Sequence, residues 1–177
     1  MVQRSRYSKT AIWLHWIIAL LIVINIGLAE FTEDLSREAR GPYMDAHKAT
    51  GISILFLSLG RLVWRLGNKP PALPASMSGW QIIATRISHF LFYVLIIGLP
   101  ISGWLWMSTY PAAFSYFGLF DVPMLPVEGQ KALGEALHSG HELGGKAMII
   151  LIIIHLAAVA KHQFFDKDNL IQRMWPS

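Results

Sequence analysis

The sequence predicts an all-α fold, a four-helix transmembrane bundle built as one domain over residues 1–177. Three observations predict it. Apolar residues make up 54% of the chain and charged residues only 15%, against roughly 25% charged in an average soluble domain. The apolar residues are gathered into four segments, each near or above the roughly 20 residues a helix needs to cross a bilayer. The charges stand at the segment ends and form no polar face. This placement excludes nucleic acid as a partner despite the net charge of +4, and it makes membrane lipid the expected surroundings. A bilayer offers the backbone no water to bond, so each segment is expected to be a helix.

The first segment is Ala11–Ala29. Basic Arg4, Arg6 and Lys9 precede it and small Gly27 and Ala29 end it, which resembles a secretory leader. Its nineteen residues exceed the roughly 7–15 of a leader's apolar core, and it carries His15 and Trp16, so it reads as a retained helix. Gly41-Pro42 falls in the connection to the second segment, His47–Leu66. Asn68-Lys69-Pro70-Pro71 and Pro74 separate that from the third, Gln81–Ser108, where Pro100 predicts a kink. Pro111, Pro123 and Pro126 mark the last connection, before His138–Phe165. No internal repeat is present. Trp13, Trp16, Trp64, Trp80 and Trp175 read as an interfacial belt.

The basic residues set the orientation. Four spans put both termini on one side, with Arg4, Arg6, Lys9, Arg61, Arg65, Lys69, Arg86, Lys161, Lys167 and Arg173. The other side holds Arg37, Arg40, Lys48, Lys131 and Lys146. The more basic side is expected to face the cytoplasm.

The chain contains no cysteine, which excludes disulfides, iron–sulfur clusters, thiolate zinc sites and thiol catalysis. It does contain seven histidines, and their depths form a pattern. His141 and His155 lie fourteen residues apart on the fourth segment, roughly 21 Å of helix and within about 40° of one face. Ionisable side chains at such depths are functional candidates. An outer layer holds His47 and His141, with His138 beside them. An inner layer holds His15 and His155, with His89 and His162 nearby. Each layer offers one imidazole from each of two helices, enough for one haem per layer. Two axial imidazoles leave no vacancy for oxygen and suit electron transfer. Zinc fits less well, since structural zinc takes four ligands and neither layer supplies them. Gly51, one turn after His47, leaves room for a flat macrocycle. Its plainer reading is close helix packing.

Several runs carry a resemblance: Arg6-Tyr7-Ser8 leading into Leu14-His15-Trp16, His47 through Ile52, and Ser88-His89-Phe90-Leu91-Phe92-Tyr93 on to Leu99-Pro100-Ile101-Ser102-Gly103. His141-Glu142, His155-Leu156-Ala157-Ala158 with His162, and Lys167-Asp168-Asn169 through Arg173-Met174 continue it. In these the chain resembles the bacterial cytochrome b561 family over nearly its whole length, and more distantly the cytochrome b subunits of formate dehydrogenases and hydrogenases. The resemblance implies two haem b groups, iron ligation by His47 with His141 and by His15 with His155, ubiquinone as the inner redox partner, and a bacterial inner-membrane location. It makes His89 and His162 candidates for a quinone site, since histidine exchanges protons near neutral pH, with Arg86, Ser88 and Lys161 completing the pocket or binding haem propionates.

Among superoxide-oxidising members of that family the implied reaction runs from superoxide at the periplasmic face to ubiquinone. An anionic substrate calls for cations, and Lys48, Lys131 and Lys146 are the candidate catalytic residues, with Arg37 and Arg40. Nine acids share that side with these five bases, which opposes strong steering. The alternative is an electron-transfer subunit serving a periplasmic dehydrogenase or soluble donor. Its docking surface would be the Thr109–Leu137 connection, with Phe114, Tyr116, Phe117 and Phe120 exposed, although these aromatics read equally as a cap over the outer layer. A third reading is a membrane transporter with buried histidines.

Overall fold

A computed structural model describes residues 6–111 and 113–176. Arg4, counted above among the basic residues, lies outside them. Four long helices dominate: α1 Lys9–Glu30, α2 Arg37–Gly67, α3 Gly79–Ser108 and α4 Lys131–Lys161. All four are long and apolar enough to cross a membrane.

Helices α1, α2 and α3 begin where the local sequence supplies a side-chain partner for a free N–H group, whereas α4 starts at Lys131 without one. Ser8 accepts from the Ala11 N–H ahead of α1 and Ser36 from Ala39 ahead of α2, each at 3.3 Å. Before α3 the Gln81 side chain reaches back to the Ser78 N–H at 2.8 Å, as a capping box requires. The apolar surface of the helices is mostly not buried in protein. Only 11% of the most apolar window of α1 and 6% of that of α3 is covered. Trp13, Leu20 and Val23 on α1, with Phe90 on α3, point outward, as side chains that meet lipid do.

Helix α2 starts ten residues before the expected His47 and takes in Gly41-Pro42, which the sequence placed in a connection. Its 31 residues extend about 46 Å, well past a hydrocarbon core of about 30 Å. Pro42 falls in the protruding part, where the backbone carbonyl it fails to serve can be solvated. Helix α3 continues through Pro100. Helix α4 starts at Lys131, earlier than the expected His138, and passes into a π-helical turn, His162–Asp166. A short helix α5, Leu170–Met174, follows.

The closely packed neighbours are α1 with α2, α2 with α3, and α3 with α4; α1 with α4 is not among them. Both termini lie at one end, here the termini end. At the far end, residues 113–130 fold over the bundle. A hairpin of β1 Ser115–Tyr116 and β2 Phe120–Asp121 places Phe114 and Val122 against Ile52, beside Trp104, Met107, Tyr116 and Met124. The Trp104 indole donates to the Pro123 carbonyl at 2.8 Å, and the Ser53 and Tyr116 hydroxyls bond at 2.9 Å. Phe114 is therefore buried and Tyr116 half-buried, contrary to the expected exposure, while Phe117 and Phe120 are exposed. The loop's own apolar residues need cover, and the open helix ends supply it.

Candidate functional site

At the far end two imidazole rings come together edge-on. His47 on α2 and His141 on α4 have ring centroids 6.1 Å apart, with planes at 74°. Each is held from behind by a different helix. His47 Nδ1 lies 3.0 Å from the Asn25 carbonyl of α1. His141 Nδ1 lies 3.1 Å from the Leu99 carbonyl and 3.1 Å from Ser102 Oγ of α3. A carbonyl oxygen only accepts, so each Nδ1 carries the hydrogen and each Nε2 keeps its lone pair. Metal-binding histidines are oriented in just this way. Two imidazoles on opposite sides of one metal, with bonds of about 2 Å, have centroids about 6 Å apart. The donor set thus fits one iron.

Close helix approach makes this possible. A Cβ on Gly144 would stand 2.7 Å from Leu99 Cδ2, and one on Gly103 only 3.1 Å from His141 Cε1. Glycine at these two positions lets α3 lie against α4 and against the ring. Beside His47, a Cβ on Gly51 would meet only the Asn25 amide nitrogen, at 4.0 Å. The Asn25 carboxamide oxygen is buried without a hydrogen-bond partner. His138 stands apart from the pair, stacked on Trp106 at 4.3 Å and paired with Glu142.

At the termini end His15 on α1 has His155 on α4, His89 on α3 and Arg61 on α2 within electrostatic reach. All three rings are half-buried. His155 meets the edge of Phe92 at 5.3 Å and His15 that of Trp16 at 5.6 Å. His15 and His155 lie on α1 and α4, the two helices whose seam is not closely packed, so the residues also fit a flat group inserted there.

The remaining candidates separate. His162 is buried, with Nδ1 2.8 Å from Asp168 and 3.0 Å from Asp166. Ser76 donates to Asp168 at 2.7 Å. The Asp168 carboxyl is held below its ordinary range, first by that Ser76 bond and then by His162, with burial opposing. Lys161 is paired with Asp166, Ser88 donates to the Thr85 carbonyl of its own helix, and Arg86 is exposed. Among the described residues Arg86, Ser88 and Lys161 make no direct hydrogen bond to the His89 or His162 ring, and Lys161 and His162 share the Asp166 carboxylate.

The three candidate lysines do not converge. Lys48 is ion-paired to Asp45 at 2.6 Å and faces the Phe114 ring at 5.6 Å. Lys131 and Lys146 are both exposed on α4, and their spacing of fifteen positions separates them by about 22 Å along the axis. The rise of α4 thus keeps Lys131 and Lys146 apart, and Lys48 is held in its pair with Asp45. Arg40 and Lys48 do lie within electrostatic reach of His47.

Sequence reasoning missed the carbonyls of Asn25 and Leu99, the Ser102 hydroxyl, and the Asp168–Ser76 hold on His162. It also missed the place of Arg61, although a charge within an apolar segment is itself a signal.

The fold and these histidines define a class, a four-helix membrane protein with imidazole pairs at two depths. The comparisons narrow it. The profile of the prokaryotic cytochrome b561 family matches residues 6–177, and the chain belongs to that family. It is 30% identical to cytochrome b561 homolog 2 of Escherichia coli (strain K12) over 175 residues, covering 96% of this chain and 91% of that protein. It is 27% identical to cytochrome b561 homolog 1 of the same strain, covering 97% and 98%. With a protein named probable superoxide oxidase CybB, from Yersinia pestis, it shares 28% over 175 residues, covering 97% of each. Membership makes this a bacterial membrane electron-transfer protein and implies b-type haem.

Proposed function

We propose that the protein oxidises superoxide at the far end and reduces ubiquinone at the termini end, with the termini in the cytoplasm and the chain in the bacterial inner membrane. Two superoxide ions, one quinone and two protons would give two dioxygen molecules and one quinol. His47 with His141, and His15 with His155, would each ligate one haem b, which when bound supplies a one-electron iron couple. The observation that carries this reading is the adjacent His47–His141 pair, whose Nδ1 atoms are turned to carbonyls and whose Nε2 atoms have no hydrogen-bond partner among the described residues.

His47 and His141 would hold the far-end haem, which would supply a one-electron acceptor for superoxide. Arg40, beside the Lys48–Asp45 pair, is the cation near His47 that would draw the superoxide anion in. At the other end His162, braced by Asp168, would exchange protons with the quinone, and His89 stands near His15 as a second proton carrier. The name of the Yersinia pestis relative supports the choice of superoxide. The reading is tested by mixing superoxide with the oxidised, purified protein and ubiquinone. Reduced b-type absorbance followed by quinol is expected, and inert haem would contradict it.

A second reading has its own observation. Phe117, Leu119 and Phe120 are exposed at the hairpin tip, a surface a periplasmic dehydrogenase or soluble donor could use. In that case the protein serves as its electron-transfer subunit, and superoxide leaves the haem oxidised.

A further inference from the structure

At the termini end a cleft opens between the start of α1, the end of α2 and the middle of α3. Arg6, Arg61, Arg65 and Lys69 line it together with Tyr93, and four cations in one cleft need an anion. Among the described residues no side chain supplies one. The two acidic side chains of this end, Asp166 and Asp168, are engaged by Lys161, His162 and Ser76. Among the described residues neither Arg61 nor Arg65 forms an ion pair. Both are half-buried, and Arg61 lies six residues inside the end of α2. A charge withheld from water persists only when paired.

Two further features aim the cleft. The Tyr93 hydroxyl is buried without a hydrogen-bond partner, and the Arg65 guanidinium stands over the same ring at 5.8 Å. An unsatisfied hydroxyl beside two guanidinium groups is a donor set for an oxyanion. The cleft reaches Ala11, one turn before His15 on the same face of α1. Arg61 is also within electrostatic reach of His15 and His155. An anion bound here would therefore adjoin the histidine pair of this end.

We propose that Arg61 and Arg65, with the Tyr93 hydroxyl, clamp the two propionate carboxylates of the haem at the termini end. This rests on the proposed ligation by His15 and His155. The charges balance, two guanidinium groups against two carboxylates. Arg is suited to the task because its planar fork meets a carboxylate with two parallel N–H donors. The clamp replaces the expectation that Arg86 or Lys161 would hold the propionates, since Arg86 is exposed and Lys161 is paired with Asp166.

The test compares wild type with Arg61→Gln/Arg65→Gln, both purified as haem-loaded protein, by haem-to-protein ratio and redox titration. The double variant is expected to lose haem toward half of the wild-type ratio, or to keep it with one midpoint lowered by the lost positive charge. The other haem should keep its midpoint and spectrum, which also reports that the bundle has folded. Arg61→Lys, which keeps the charge, is expected to restore most of the bound haem. Full haem content with both midpoints unchanged overturns the clamp. Loss of a co-purifying anionic phospholipid, with haem untouched, also overturns it and makes the cleft a head-group phosphate site. A wild-type protein without haem contradicts the ligation reading and the clamp together, whereas haem-loaded wild type with an indifferent double variant contradicts the clamp alone.

Discussion

The two histidine pairs are held by different means. At the far end both rings are turned by backbone carbonyls, His47 by Asn25 and His141 by Leu99 with Ser102 assisting. At the termini end His15 and His155 rest against aromatic edges, Trp16 and Phe92, along the seam between α1 and α4. The far end is therefore oriented in advance by hydrogen bonds, which fix the tautomer as well as the angle. The termini end is positioned by packing and has guanidinium groups for neighbours. A bound group would organise the far end little and the termini end more. One protein thus carries a stiff site beneath a folded cap and a softer one near the interface, where quinone would enter and leave.

The largest effect that could break this comparison is removal of a ligand. His155→Ala is expected to abolish the termini-end haem and spare the far-end one, read as one of two spectral components lost. Retention of both components would show that His155 is not a ligand, and loss of both would show that the sites depend on each other.

A smaller effect should come from crowding the stiff site. In Gly103→Ala the new methyl would meet His141 Cε1 at 3.1 Å, and the ring cannot retreat without leaving Leu99. Overpacking of this kind costs about 1–3 kcal/mol. The expected outcome is a lower melting temperature and a shifted far-end spectrum, with the termini-end component unchanged. Changes in both components would mean that the two sites are not mechanically separate.

Ser102→Ala should do less. Removing an outer partner of a metal-bound histidine costs about 10–100-fold in affinity, but the Leu99 carbonyl remains on His141 Nδ1. A loss of tenfold or less in far-end haem affinity is therefore expected, measured by competition with apomyoglobin. A complete loss would make Ser102, not Leu99, the main support.

The smallest effect concerns the C-terminal segment and acid. Asp168 ties α5 and the π-helical turn to Ser76 through a carboxyl whose folded pKa is depressed below 3.8. Its contribution is complete above that ordinary value and is lost as pH falls through the lower folded value. Hydrogen exchange in residues 166–176 should be flat near neutral pH and rise only below about pH 4. Asp168→Asn should exchange faster at neutral pH and lose that acid dependence. An acid rise that persists in the variant would assign it to another group.

Much of this was legible in the sequence because membrane crossing imposes length and composition. Four apolar segments with basic ends announced α1 to α4, and the boundaries of α1 and α3 fall within two residues of those expected. The start of α2 was hidden because residues 37–46 are polar and contain Gly41-Pro42, which punctuate a loop in water as readily as they begin a protruding helix. The depths of the histidines followed from helical rise, so His47 and His141 were paired on sequence alone. Their orientation was not legible, because the partners are carbonyls, and every residue has one. The cover over the far end was open to either reading, since Phe114 and Phe117 look alike until the hairpin buries one and exposes the other. Arg61 and Arg65 could be counted as basic residues of one side, but only the folded cleft shows that among the described residues no acidic side chain there is left to meet them.

The central claim is that each end of the bundle holds one haem through its own histidine pair. The most direct measurement is the haem-to-protein ratio of the wild type beside His141→Ala and His155→Ala, with the surviving spectrum recorded in each. Two haems in the wild type and one in each variant, with the two survivors spectrally different, are expected. A single haem in the wild type, or the same surviving spectrum in both variants, would contradict it.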